Sequence, residues 1–172
     1  AQGVEFLIQK KAGQFSGWLS YTLGQVVHTF PELNEGKAFY ALHDQRHEIK
    51  LVSSYDIGDW SIAANFVFGS GKPFSEPEGF YTIEQLNGDD LQFVSVGAKN
   101  GSRLPAYHRL DLSAHHRFPI GKAKADIGIS LFNVYGRKNV WYYKYDFDQT
   151  PYLRTEVDYL GFTPNISLNV SF

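Results

Sequence analysis

Asp111, Ser113 and His115 carry the side chains of a hydrolytic triad, and the pattern around them decides whether they can act as one. In residues 106–118, Leu110, Leu112, Ala114 and Phe118 alternate with Tyr107, Arg109, Asp111, Ser113, His115 and Arg117, the two-residue period of a strand. Side chains two apart on one strand face are separated by about 6.7 Å, whereas a nucleophile and its base must come within about 3 Å. The trio therefore reads as a polar strip, with hydrolysis kept as the enzymatic alternative.

The histidines offer metal chemistry and fail on spacing. His115 and His116 are neighbours on a strand and point to opposite faces. His43 and His47 have a helical spacing but sit where a loop meets a strand, with no third ligand in view. The chain has no cysteine, so thiolate sites and disulfides are excluded. No metal and no cofactor is expected.

Charge is distributed in two ways. Arg46, Glu48 and Lys50 share one phase of a strand, as do Arg109, Asp111 and Arg117 of another, so all six project to one side. Residues 70–104 instead form a long Gly-, Pro- and acid-rich connection with Glu76, Glu78, Glu84, Asp89 and Asp90. Such a loop is functional or disordered. It suits a cationic ligand, a metal chelate or a surface partner, or is merely solvated. Phe80, Tyr81 and Phe93 within it favour a folded, contact-making loop. A net charge of -2 leaves no basic footprint for nucleic acid.

The elements that must position these groups are strands. The clearest is residues 162–172, where Phe162, Pro164, Ile166, Leu168, Val170 and Phe172 form one face and Thr163, Asn165, Ser167, Asn169 and Ser171 the other. That run has the length of a tilted transmembrane strand. Val4, Phe6 and Ile8 alternate with Glu5, Leu7 and Gln9, and residues 15–30, 46–57 and 60–68 continue the pattern. Another strand starts at Ala123 and slips at Leu131–Phe132, where a bulge is expected. Trp60, Tyr107 and the run from Trp141 to Tyr145 are expected in interfacial girdles.

Mean hydropathy of -0.29 suits a soluble domain, but a barrel wall averages to the same value because lumen-facing polar residues alternate with apolar ones. No run reaches the roughly eighteen apolar residues that a spanning helix needs. The expectation is an all-β chain forming a transmembrane antiparallel up-and-down β-barrel segment. Connections are short near Gly13, Gly58 and Ile120 and long at residues 31–45, 70–104 and 146–160. Short turns are periplasmic and long loops extracellular in such barrels, which puts Phe172 at the periplasmic face. Seven strands leave an open edge that hydrocarbon does not tolerate, so the remaining strands are expected upstream or on another chain. The first eleven residues lack the composition of a signal peptide, so the export signal is expected to have been removed or the sequence to start midway.

Four phrases carry a family resemblance: Gly17-Trp18-Leu19-Ser20-Tyr21-Thr22-Leu23, residues 66–74 (FVFGSGKPF), residues 103–113 (RLPAYHRLDLS) and residues 131–139 (LFNVYGRKN). In order and spacing they resemble the closing strands of TonB-dependent outer-membrane receptors, over essentially the whole chain. The resemblance implies a 22-stranded barrel of which this chain supplies about seven strands, a plug domain inside it, and import of a nutrient driven by an inner-membrane complex. The chain contains neither the plug nor the N-terminal segment that would reach the TonB complex. The implied partners are the rest of the barrel, its plug, the TonB complex, the lipid bilayer and a surface lipoprotein. Arg46, Glu48, Lys50, Arg109, Asp111 and Arg117 then line a hydrated wall or dock the plug, and Phe172 is the residue read by barrel-assembly machinery. The alternative is a small structural or adhesive outer-membrane barrel or, behind it, an outer-membrane hydrolase.

Overall fold

The structure, a computed structural model, describes residues 1–147 and 152–172. Seven strands make one antiparallel sheet: β1 (Gln2–Lys10), β2 (Phe15–Gln25), β3 (His47–Ile57), β4 (Trp60–Gly69), β5 (Tyr107–Ile120), β6 (Ala123–Phe132) and β7 (Thr163–Ser171). Each pairs with its neighbours in sequence, an up-and-down meander whose first and last strands are open edges. The all-β expectation and the strand count agree with this sheet, which is not closed.

Register turns the alternation of each strand into two continuous faces, because residues directly opposite one another point to the same side. Ile8, Leu19, Leu51, Phe66 and Leu110 are successive partners across five strands. Lower down, Phe15, Tyr55, Ile62, Ala114, Ile129 and Ile166 cross six. The opposite face runs through Ser16, Ser54, Ala63, Ser113, Ser130 and Asn165. A slip of one residue anywhere would exchange the faces, so the pattern fixes the register.

Among the described residues no second layer covers the apolar face. Among the described residues the buried hydrophobics are only Phe39, Ala41, Ala123 and Ala125, while Phe6 is 61% and Ile166 73% exposed.

The sheet's two ends differ. At one, tight turns join the strands; Gly58 (φ +56°) occupies the first position of the two-residue link between β3 and β4, where a II′ hairpin turn needs a left-handed residue. At the other end stand three long connections, residues 26–46, 70–106 and 133–162, hereafter the first, second and third loops.

The loops hold more regular structure than the sequence pattern suggests. The strand expected through Phe30 stops at Gln25, and Val27–His28 pairs with Phe39–Tyr40 inside the first loop. The second loop contains a hairpin of Pro77–Glu84 and Asp90–Val96, the third one of Val140–Asp146 and Leu153–Asp158. Trp141 to Tyr145 therefore stand in a loop hairpin and not in the seven-stranded sheet. Tyr107 lies on the polar face, so it is no girdle residue either; Trp60 does lie on the apolar face, stacked on His116 with centroids 4.4 Å apart. The bulge expected at Leu131–Phe132 is absent, since β6 stays in register with β7 through Phe132. The break falls one residue later: Asn133 turns left-handed (φ +52°) and the Val134 N–H reaches the Leu110 carbonyl.

Candidate functional site

The polar face carries its densest side-chain network where β5 runs into the loops. The Asp111 carboxylate accepts three hydrogen bonds: Oδ1 from the Asn133 N–H at 3.0 Å, Oδ2 from Arg109 Nε at 3.0 Å and from Asn65 Nδ2 at 3.2 Å. Arg109 also donates through Nη1 to the Tyr107 hydroxyl at 3.0 Å, and its guanidinium lies 4.1 Å from the centre of the Phe132 ring. Cation and carboxylate are thus held from several sides on a rigid strand, which fixes their geometry more tightly than an exposed pair.

Asn133 is wholly buried and makes the turn that launches the third loop. Its Nδ2 donates to the Arg137 carbonyl and its Oδ1 accepts the Arg137 N–H. Six residues on, the Asn139 side chain brackets His108, accepting its N–H and donating to its carbonyl, both at 3.0 Å. The amide thus takes the place of a strand residue at the end of β5.

Above this network lies a cavity of about 330 Å³ lined by Gln45, Glu48, Tyr107, Arg109, Trp141 and Tyr159 among others. Tyr159 meets Tyr107 edge-on at 5.5 Å and Trp141 at 5.7 Å, giving one aromatic wall opposite the charged side chains. Such a mix of apolar lining and few convergent polar groups is that of a small-molecule pocket.

The loops are tied to one another by ion pairs. Asp44 in the first loop is wholly buried; it binds Arg103 Nη2 of the second loop and accepts the Val26 N–H at 2.6 Å. Burial pushes this carboxyl upward, but the Arg103 and Val26 hydrogen bonds and the charges of Arg103 and Arg46 outweigh it and hold the pKa below the usual carboxylate value. Arg103 also donates to the Gly71 carbonyl and covers the Tyr40 ring at 4.8 Å. Glu76 joins the second and third loops, accepting from Ser102 Oγ at 2.8 Å and from Arg154 at 3.3 Å. In the third loop burial raises Tyr145, and Tyr135 likewise.

The six charges expected to project together separate into three places. Arg109 and Asp111 form the network above; Glu48 and Lys50 pair with each other beside it. Arg46 precedes β3 and reaches the Tyr40 ring at 6.0 Å. Arg117 is near the turn end, 3.6 Å from Asp126, whose other oxygen meets His115 Nδ1 at 2.9 Å. Asp111 and His115 are thus engaged with different partners, and no hydrolytic triad forms from Asp111, Ser113 and His115. His47 meets the Tyr21 hydroxyl at 2.9 Å, and no group of metal-ligating side chains assembles among the described residues.

In the acidic loop, Phe80 approaches Phe147 at 6.0 Å and Tyr81 stacks on Phe93 at 5.5 Å. Glu84 stands opposite Asp90 in the hairpin, Asp89 is in its turn, and Glu78 lies beside Gly97. Phe172 follows β7 and is fully exposed.

None of Asp44, Asn133 and Asn139 is among the site residues expected from the sequence. Asn133 had a signal in the Asn-Val-Tyr-Gly turn chemistry; Asp44 and Arg103, 59 residues apart, had none. Comparison with protein-family models, with curated proteins and with solved structures finds no match for the chain.

Proposed function

We propose that this chain is part of the wall and extracellular loops of an outer-membrane β-barrel, a segment of a TonB-energised importer of a nutrient ligand. One observation carries the membrane part: the seven-strand sheet has one continuous apolar face with nothing packed on it and one polar face with charged networks. In water such a face would cost about 25 cal/mol for each Å² left exposed, whereas hydrocarbon takes it without cost. The polar face needs water or a polar partner, because Arg or Lys at the bilayer midplane costs about 2–4 kcal/mol. The two open edges support incorporation in a larger closed wall, since unpaired strand edges are not viable in lipid.

In this proposal the turn end is periplasmic and the loop end extracellular, following the loop-length asymmetry of such barrels. The plug, the remaining strands and the link to the TonB complex belong to other parts of the assembly, and a surface lipoprotein is the candidate outer partner. The loop-end cavity over Arg109 and Glu48 is the proposed edge of the ligand path. Import itself rests on the family resemblance together with this two-faced wall.

Because the chain has no native cysteine, single cysteines report directly. Introduced at Ile62, Phe66, Leu110, Leu112, Ile166 and Leu168, they are expected to resist a water-soluble maleimide in outer-membrane preparations and to be quenched by lipid-borne probes. At Arg109, Asp111, Ser167 and Asn169 the reverse is expected. A random or inverted split overturns the proposal.

A further inference from the structure

The hairpin of the second loop has an unusual balance of surface. Pairing sets Tyr81 opposite Phe93 and Ile83 opposite Leu91, so these four side chains form one face, and they are 52%, 41%, 48% and 44% exposed. Leu86 at the tip is fully exposed. The other face is used differently: Phe80, opposite Val94, leans on Phe147 of the third loop. The four side chains of the apolar face make no ring contact outside the hairpin, and of them only Phe93 borders the cleft to the third loop.

The same hairpin is charged with one sign. Residues 77–96 contain Glu78, Glu84, Asp89 and Asp90 and no Lys, Arg or His. None of these four carboxylates meets a cation among the described residues. Glu84 and Asp90 are moreover direct cross-strand partners, a like-charge pairing that weakens a hairpin. The hairpin is also a sheet of only two strands, with an open edge on either side. Two strands alone are marginal in water, and a third strand with an apolar face brings independent stability.

These features converge on one occupant. We infer that an extended polypeptide segment alternating apolar with Lys or Arg residues adds to this hairpin as a third strand. Its backbone pairs with an open edge, the mode of β-augmentation. Its apolar side chains extend the Tyr81, Ile83, Leu91 and Phe93 face; its cations, pointing the other way, fall on the face of Glu84 and Asp90 and relieve their repulsion. A second copy of this hairpin is disfavoured, because it would set carboxylates against carboxylates. An anionic lipid surface is disfavoured for the same reason. The inference rests on the hairpin's geometry alone and does not need the import proposal.

The test uses the full-length protein in detergent with three fluorescent ten-residue peptides: alternating Leu-Lys, alternating Leu-Glu, and alternating Ser-Lys. Leu-Lys is expected to bind, with backbone amides of residues 77–96 slowed in hydrogen exchange, and the other two to bind about tenfold more weakly or not at all. The double variant Tyr81→Ser/Phe93→Ser should weaken Leu-Lys binding by removing the apolar face. The variant Glu84→Gln/Asp90→Asn should also weaken binding about tenfold while slowing exchange in the free hairpin, because it removes the like-charge pair without unfolding anything. Three results would each overturn the inference: equal Leu-Lys affinity for the wild type and the charge variant, equal binding of Leu-Glu, or protection of residues 77–96 by calcium alone.

Discussion

The Asp111 carboxylate, on the polar face of β5, accepts the backbone N–H of Asn133, the buried residue at which β6 gives way to the third loop. That single bond makes the end of one strand depend on a side chain of its neighbour. Because the other oxygen of Asp111 holds Arg109 and Asn65, sheet and loop share one node.

Asp111→Ala should therefore act on two elements at once. It leaves the Asn133 N–H, Arg109 Nε and Asn65 Nδ2 without this acceptor, and a buried donor left unpaired costs about 1–3 kcal/mol. Asp111→Asn keeps an acceptor for the Asn133 N–H but sets its amide NH2 against the Arg109 and Asn65 donors, losing those two bonds and the charge while saving the loop contact, so it should be the milder of the two. Thermal unfolding followed by circular dichroism ranks them: wild type highest, then Asn, then Ala.

Asn133 permits a separate test. Its φ of +52° disfavours a residue with a Cβ by about 1–2 kcal/mol unless, as with Asn, the side chain bonds locally. Asn133→Ala loses both bonds to Arg137 and keeps the strain, while Asn133→Gly loses the bonds and relieves it. The Gly variant is expected to be the more stable of the two by that amount, read from the same melting assay. Equal stability would show that the left-handed backbone at position 133 does not strain alanine.

The Asp44–Arg103 tie has a definite acid dependence. Its folded pKa is lowered, so its contribution is complete above the unfolded carboxylate value of about 3.9 and is lost as pH falls through the folded value. The first loop should stay protected from protease down to about pH 4 and open below it. Arg103→Ala leaves burial as the main influence on Asp44, which raises its pKa. Protection of residues 26–46 should then fail at a higher pH, followed by limited digestion across a pH series with an acid-active protease.

Gly71 is where the second loop comes closest to its own return path: a Cβ there would overlap the Leu104 carbonyl. The Leu104 N–H bonds to the Lys72 carbonyl, and the Gly71 carbonyl accepts from Arg103, so the two backbone runs cannot part without losing both. Gly71→Ala is expected to loosen the first and second loops together, matching Arg103→Ala in the digestion assay while leaving exchange in β3 and β4 unchanged.

How much of this was legible in the sequence follows from which interactions are local. The faces were readable because a strand's period is two, so Leu110 and Leu112 announce one side and Arg109 and Asp111 the other within a few residues. Strand ends were less readable. Val27 and His28 continue the alternation past Gln25, yet pair with Phe39–Tyr40. Tyr107 looked like a girdle aromatic by type, although its odd phase with Leu110 already placed it on the polar side. The node at Asp111 could not be read, because periodicity says which way a carboxylate points and not which backbone N–H, 22 residues on, will meet it.

The strongest discrimination between a membrane wall and a sheet covered by protein comes from the apolar residues along β5. On this face the strand runs His108, Leu110, Leu112, Ala114, His116 and on to Phe118 and Ile120 at the turn end, and the five positions from one imidazole to the other enclose only hydrocarbon. Eight residues span about 27 Å along a strand, or about 20 Å across a membrane at a tilt of about 40°, close to the roughly 25 Å apolar band of such barrels. Arginine placed in turn at these five positions should cost most at Leu112, about 2–4 kcal/mol, and fall towards zero at both histidines. A protein cover would give a different profile, set by local packing and indifferent to the surrounding lipid. Refolding the variants into vesicles of shorter and longer acyl chains separates the two. In a bilayer, thinner hydrocarbon should lower the penalty at Leu110 and Ala114 before it lowers that at Leu112; a profile unchanged by acyl length would reject the membrane placement of this face.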